Sequence, residues 1–354
     1  MRVLVLGGTG AMGTHVCRIL SAAGNEVTST SRRPREDGGV AFVIGDAKKR
    51  DFLDPLLAQG WDAIVDFMVW STKEFSARVD ELLAHANQYI FVSSYRVYAD
   101  SPVIKENSPR LLDTVDDADY LATDEYALAK ARCEDMLVGS GLSNWTVVRP
   151  AITYDGSVGR LQLGVMESGE WLCRATRSVP IPFPKPMLEK QATMTWAGDV
   201  ARMIARLVGN PVALGESYTV STSDHMCWAD VVEAYRDVVP FEVVPCDLDE
   251  FIRMRGGRYQ VLYDRLFDRV VDNSKVLAAC GMERLELTTM REGLARELRV
   301  FLQRGQSLCM HAGSCGKLDR LVGGMPSLLQ LLKEVRWYDT PSALAKYSVR
   351  RLGL

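Results

Sequence analysis

The first thirteen residues constrain this chain more than any other stretch. Arg2-Val3-Leu4-Val5-Leu6 is a continuous apolar run, and Gly7-Gly8-Thr9-Gly10-Ala11-Met12-Gly13 follows without a spacer. Met12, Val16, Ile19, Leu20 and Ala23 then recur on one helical face, and Gly24 stops the pattern. A buried strand that enters a helix through so glycine-rich a turn opens backbone N–H groups to an anion, and the helix N-terminus adds partial positive charge. Gly8, Gly10 and Gly13 satisfy G-x-G-x-x-G, while Gly7, Gly10 and Gly13 satisfy the wider G-x-x-G-x-x-G. In a strand–turn–helix context this is the fingerprint of a dinucleotide site. Gly7, Thr9, Gly10, Ala11, Met12 and Gly13 are the residues expected against the pyrophosphate.

Further apolar runs at 26–30, 40–44, 62–68, 89–93 and 145–149 read as buried strands, with helical patterns at 74–86 and 120–139. Strands apolar on both faces and separated by helices predict parallel pairing through crossovers. The fold class is therefore α/β, a doubly wound parallel sheet (Rossmann) with a smaller mixed C-terminal substrate domain. Residues 1–152 form the expected dinucleotide-binding domain, with 192–221 returning to it. Residues 153–304 form mainly the substrate-binding region, and 305–354 an extension without an assigned role. Pro180, Pro182, Pro184 and Pro186 predict extended chain over 178–190. Residues 197–209, 228–238 and 288–303 read as helices, 217–221 as a strand and 327–336 as amphipathic.

Forty-two basic residues nearly balance forty-five acidic ones, which argues against a nucleic-acid partner. No apolar stretch approaches the roughly 18 residues of a membrane span, and the opening residues do not read as a secretory signal. Eight scattered cysteines without a CxxC pair suit a reducing compartment. The expectation is a cytoplasmic protein with no nucleic-acid or membrane partner. Cys309-Met310-His311 followed by Cys315 lacks a fourth ligand, so no metal is expected.

The second strand ends at Thr30-Ser31-Arg32-Arg33, without the acidic residue that accepts from an NAD ribose. Guanidinium groups grip a 2′-phosphate that a carboxylate would repel, so Arg32 and Arg33 favour NADP(H) over NAD(H). Asp46, closing the third strand, is placed to accept from an adenine amino group. Phe67, in the Asp66-Phe67-Met68 close of the fourth strand, falls at the sheet edge where ligands bind.

Five further motifs follow in order. They are Ser93-Ser94-Tyr95-Arg96-Val97-Tyr98 at the end of the fifth strand, Tyr126-Ala127-Leu128-Ala129-Lys130, Arg149-Pro150-Ala151-Ile152-Thr153-Tyr154, and the pair Trp196-Ala197-Gly198-Asp199 and Asp272-Asn273-Ser274-Lys275. With the glycine turn, this ordered set resembles the extended short-chain dehydrogenase/reductase family, in its nucleotide-sugar epimerase/dehydratase branch. The resemblance spans residues 1 to about 300 and implies a catalytic Ser94, Tyr126 and Lys130. Tyr126 and Lys130 stand one helical turn apart on one face. A nearby ammonium stabilises phenolate, so Tyr126 can exchange a proton with substrate while nicotinamide exchanges a hydride. The resemblance also places Tyr126, Lys130 and Pro150 against the cofactor, and Ser94, Arg96 and Arg149 against a nucleotide-sugar substrate. It implies a homodimer built on helices 74–86 and 120–139.

Sugar dehydratases of this kind carry Asp-Glu directly after the catalytic Ser or Thr, because eliminating water needs an acid and a base. Tyr95-Arg96 stands there instead. What remains is an epimerase or a ketoreductase. The alternatives are reduction of a non-sugar carbonyl, or a non-catalytic relative that binds RNA or protein. Trp70, Trp171, Trp196 and Trp228 either line a pocket or belong to the core, the latter being favoured, and Arg160 and Arg174 are candidates for diphosphate contact.

Overall fold

In the computed structural model, which describes residues 1–306 and 308–353, seven strands make one parallel sheet. They are β1 (Arg2–Leu6), β2 (Glu26–Ser31), β3 (Val40–Ile44), β4 (Trp61–Asp66), β5 (Ala86–Val92), β6 (Trp145–Pro150) and β7 (Glu216–Val220). Their spatial order is β7-β6-β5-β4-β1-β2-β3, every pairing being parallel. The order reverses between β1 and β4, where Val3 pairs with Val27 on one side and Ala63 on the other.

The centre of the sheet is covered on both faces, which explains the continuous apolar runs 3–6, 63–65 and 89–92. Val3 and Val5 pack in one layer with Val16 and Leu20 of helix α1 (Ala11–Ala22) and with Ile204 of the helix Ala197–Leu207. Leu4 and Leu6 point the opposite way, into a layer with Leu53, Leu82 and, from helix α2 (Tyr126–Gly139), Cys133 and Leu137. Alternate residues of one strand thus serve two cores.

Two expected helices differ in extent. The 74–86 pattern is two helices, Thr72–Ser76 and Val79–Ala84. A capping box between Ser71 and Glu74 starts the first early, and the buried Arg78 between them donates to Asp54 and to the Lys48 carbonyl. Similarly, α2 begins at Tyr126 rather than near 120, because Asp117 caps a separate turn, Ala118–Leu121, and Glu125 caps α2 itself.

By contacts, one unit comprises Met1–Thr153, Thr193–Asp224 and Val270–Thr289. The last segment carries the helix Ser274–Cys280, whose Val276 and Leu277 join the β1 core; the motif reading had left it with 153–304.

The second unit comprises Tyr154–Ala192, His225–Arg269 and Met290–Leu354. The proline-rich segment forms the strand Ile181–Pro184, parallel to Val243–Cys246, and then a short helix, Lys185–Leu188. Within this unit the C-terminal residues form α3 (Ala312–Val322), α4 (Leu328–Glu334) and α5 (Thr340–Leu352). Their fixed point is Asp319, fully buried. It accepts from Arg174 (2.9 Å), from the Ser327 hydroxyl (2.7 Å) and from the Tyr347 hydroxyl (2.7 Å). Gly316 lets α5 approach closely: a side-chain carbon there would fall 2.3 Å from the Tyr347 carbonyl oxygen.

Candidate active site

The glycine turn lies at the carboxyl end of β1, where the strand order reverses. Gly7 is left-handed, at φ +71°, and its N–H donates to the Thr30 hydroxyl (3.0 Å). Gly8 and Gly13 touch: a side-chain carbon on Gly13 would fall 2.6 Å from the Gly8 α-carbon. Gly10, by contrast, has open space beside it and caps α1 without any side-chain bond to the first-turn amides. The result is a cradle held shut behind and open in front, which fits a pyrophosphate at the start of a twelve-residue helix.

A cavity of about 590 Å³ in front of the cradle is lined by Gly7, Gly10, Arg32, Asp46, Phe67 and Met68 among others. A second, of about 700 Å³, shares Thr9, Ser31 and Arg32 with it and adds Arg33, Pro34 and Arg35. Arg32 and Arg33 are exposed. Arg35, which the motif reading passed over, is half-buried and donates to the Thr9 carbonyl (3.2 Å) and the Thr14 hydroxyl (3.2 Å). The signal for it was present: a third arginine beyond Pro34 in Ser31-Arg32-Arg33-Pro34-Arg35. Ala11 is buried in the first turn of α1, Met12 is partly buried, and Pro150 is buried at the end of β6.

Asp66 ends β4 fully buried, and burial raises its carboxyl pKa, with Tyr89 and Trp70 donating to it in opposition. The distances are 2.6 Å from the Tyr89 hydroxyl, 2.8 Å from the Trp70 indole and 2.7 Å from the Met68 N–H. This carboxylate shapes the turn that carries Phe67 and Met68 to the cavity edge.

Lys130 is 2% exposed and its ammonium donates to the Val92 carbonyl (2.7 Å) and the Met68 carbonyl (3.1 Å). Those carbonyls follow β5 and β4, so the ammonium is pinned at the carboxyl edge of the sheet. It stands 5.9 Å from the centre of the Tyr126 ring and 4.4 Å from that of Phe91. On the strand side, Ser94 is buried and its hydroxyl accepts from the Arg96 N–H (3.2 Å).

Arg96 has a partner that motif reading did not supply. Its guanidinium pairs with Glu125 (2.7 Å) and lies 5.4 Å from the centre of the Tyr126 ring. Glu125 also accepts from the Ala127 N–H (2.8 Å), so one carboxylate caps α2 and holds Arg96 over Tyr126. Arg149 is placed differently from the expected substrate contact. It is buried, forked onto Glu134 (3.0 and 2.7 Å), and donates to the Tyr98 hydroxyl (2.8 Å) and the Glu106 carbonyl (3.1 Å). Glu134 also receives the Ser93 hydroxyl. Four of its donors thus point into the protein, a bracing role beneath the site. Arg174 is likewise committed to Asp319. Trp70, Trp171 and Trp228 are core residues, and Trp196 packs edge-on against His15. Of the cysteine cluster, Cys315 and Met310 are buried with Cys173, while Cys309 is exposed.

Residues 7–172 match a family model described as NAD(P)H-binding. Three solved structures resemble the chain in fold. An epimerase from Methanothermobacter thermautotrophicus has a TM-score of 0.67 at 16% identity, covering 86% of this chain and 93% of the other. A short-chain dehydrogenase/reductase superfamily protein from Agrobacterium tumefaciens with bound NAD scores 0.64 at 17% identity, covering 86% and 98%. The dTDP-glucose 4,6-dehydratase of Bacillus anthracis, in complex with NAD, scores 0.65 at 15% identity, covering 87% and 98%. The chain has the extended short-chain dehydrogenase/reductase fold. Among curated sequences, the chain is 26% identical over 251 residues to the chloroplast stem-loop binding protein of 41 kDa b of Arabidopsis thaliana. That match takes in 66% of this chain and 62% of the relative's length. No helix among the described residues is long and apolar enough to cross a membrane.

Proposed function

We propose that the chain is an NADP(H)-dependent epimerase or ketoreductase acting on a nucleotide-activated sugar. The observation that carries the reading is the pinned ammonium of Lys130 beside the Tyr126 ring, at the sheet edge that also carries the glycine cradle. The cradle suits a dinucleotide, with Gly7, Thr9, Gly10, Ala11, Met12 and Gly13 at the pyrophosphate, and Asp46 and Phe67 at the adenosine side. Arg32, Arg33 and Arg35 converge on one cavity, which favours a 2′-phosphate and hence NADP(H). When bound, the nicotinamide gives or accepts the hydride at the substrate carbon.

The protein's own part is proton handling and positioning. The Tyr126 hydroxyl gives a proton to, or takes one from, the substrate oxygen, while Ser94 donates a hydrogen bond to that oxygen. Two of the three Lys130 donors are held by Val92 and Met68, which leaves the third for the nicotinamide ribose. The Arg96–Glu125 pair fixes the mouth of the site and supplies no free carboxylate after Ser94, which favours epimerisation or reduction over elimination of water. The same reading takes the chain as a cytoplasmic homodimer.

The test is turnover of a panel of UDP-, dTDP-, GDP- and CDP-sugars with NADPH and NADH in parallel, comparing wild type with Tyr126→Phe. Equal rates for both proteins on an authentic substrate would refute the catalytic assignment, and an NADH preference would refute the cofactor assignment. A second reading, binding of structured RNA without catalysis, is favoured by the name of the Arabidopsis relative. It requires a gel shift with a stem-loop RNA that Tyr126→Phe leaves unchanged.

A further inference from the structure

The C-terminal helices carry a second apolar surface that no described residue of their own unit covers. On α4, Leu331 is buried and Leu328 and Val335 pack beside it, in a cluster with Cys173 and Tyr347. Leu329 and Leu332, 71% and 37% exposed, lie on the other side of this short helix, next to Lys333. Met325 precedes them and Trp337 and Tyr338 follow, all exposed, Trp337 by 85%. On α5 the only buried side chain is Tyr347, and Ala345, Val349 and Leu352 recur at i, i+4 and i+7 on the face turned away from it. Exposed apolar side chains concentrated in one segment of a folded chain mark a site of contact.

Charge identifies what it contacts. Residues 305–354 hold seven Lys and Arg against three Asp and Glu, whereas the preceding 304 hold 35 against 42. Of the three acids, Asp319 is buried with Arg174 and Glu334 is paired with Arg177, so Asp339 alone opposes the exposed Lys333, Arg336, Lys346 and Arg350. A second copy of the chain would bring the same positive surplus against itself. A nucleic acid would take the cations and leave Met325, Leu329, Leu332 and Val349 in water. An anionic bilayer takes both: its acyl boundary accepts the leucines, its headgroups the cations, and its interface suits Trp337 and Tyr338.

We propose that helices α4 and α5 dock the protein peripherally on an anionic lipid bilayer. Residues 325–352 supply the contact, and no part of the chain needs to cross.

The experiment is co-sedimentation of the full chain with phosphatidylcholine vesicles containing about 30 mol% phosphatidylglycerol, and with phosphatidylcholine alone. The expected result is at least about tenfold more protein on the anionic vesicles, reduced by about 0.5 M salt. A blue shift of tryptophan emission should accompany binding and vanish in Trp337→Phe. Leu329→Glu with Leu332→Glu should lower the bound fraction about tenfold while the thermal melt stays unchanged, because both side chains start exposed. Absence of binding to either vesicle overturns the proposal. So does a dimer in light scattering that the double substitution splits, which assigns the face to a second copy. Retention of single-stranded RNA without vesicle binding overturns it in favour of a nucleic acid.

Discussion

Helices α1 and α5 are nearly equal in length, twelve and thirteen residues, yet α1 buries six residues and α5 buries one. Helix α1 is held by shape: Gly8 and Gly13 meet, and Val16, Cys17 and Leu20 fill a layer over the sheet. Helix α5 is held by a polar pin, the Tyr347 hydroxyl on Asp319, and by the gap at Gly316. A helix placed by packing can present a ligand site to within the tolerance chemistry needs. One held along a single face, as α5 is through Tyr347 and Arg351, leaves the opposite face for other contacts.

The comparison can be broken first at the proposed active site. Tyr126→Phe should lower turnover about a thousandfold with cofactor affinity nearly unchanged, whereas Trp337→Ala at the other end should leave the rate within about twofold. Initial rates and a cofactor titration on both variants check this. Next comes the polar pin. Asp319→Ala leaves the Arg174 guanidinium buried without its partner and should cost about 3–5 kcal/mol in urea unfolding, with the C-terminal helices becoming the first site of limited proteolysis.

Smaller effects sharpen the role of shape. Gly13→Ala forces apart two backbone segments and should cost about 1–3 kcal/mol in the same unfolding experiment, whereas Gly10→Ala meets nothing within 4 Å and should unfold like wild type. Arg35→Ala should weaken NADPH about tenfold and NADH by much less, measured by quenching of protein fluorescence. The least effect concerns thiols. Burial pushes Cys17 up to about 11 and Cys133 up to about 12. At neutral pH both stay protonated, so iodoacetamide should label the exposed Cys309 first and these two last, read by peptide mass.

Sequence reading reached the sheet because its physics is local. Strands buried on both faces favour apolar side chains at successive positions. For that reason β1 stands out, with 63–65 of β4, 89–92 of β5 and 147–148 of β6, whereas β2 buries Thr28, Ser29, Thr30 and Ser31. It erred where a polar side chain overrides periodicity. Arg78 interrupts the 74–86 pattern by turning inward to Asp54, and Glu125 restarts the chain as a cap just before Tyr126. The candidate site divides the same way. The glycines, Tyr126 and Lys130 sit at motif spacings, whereas the partners of Arg96 and Arg149, namely Glu125 and Glu134, are 29 and 15 residues distant and no spacing announces them. The C-terminal surface escaped for a different reason: a whole-chain balance of 42 basic against 45 acidic residues averages away a segregated segment.

Under the proposed NADP(H) reading, Arg35 ties two recognition events into one. Its guanidinium already grips the Thr9 carbonyl and the Thr14 hydroxyl, so it is oriented before any nucleotide arrives. A phosphate on the adenosine ribose would meet a side chain whose rotamer freedom has already been given up, and would in turn tighten the loop around the pyrophosphate. Discrimination between the two nicotinamide dinucleotides then becomes a property of loop stiffness as well as of charge, and tuning one alters the other.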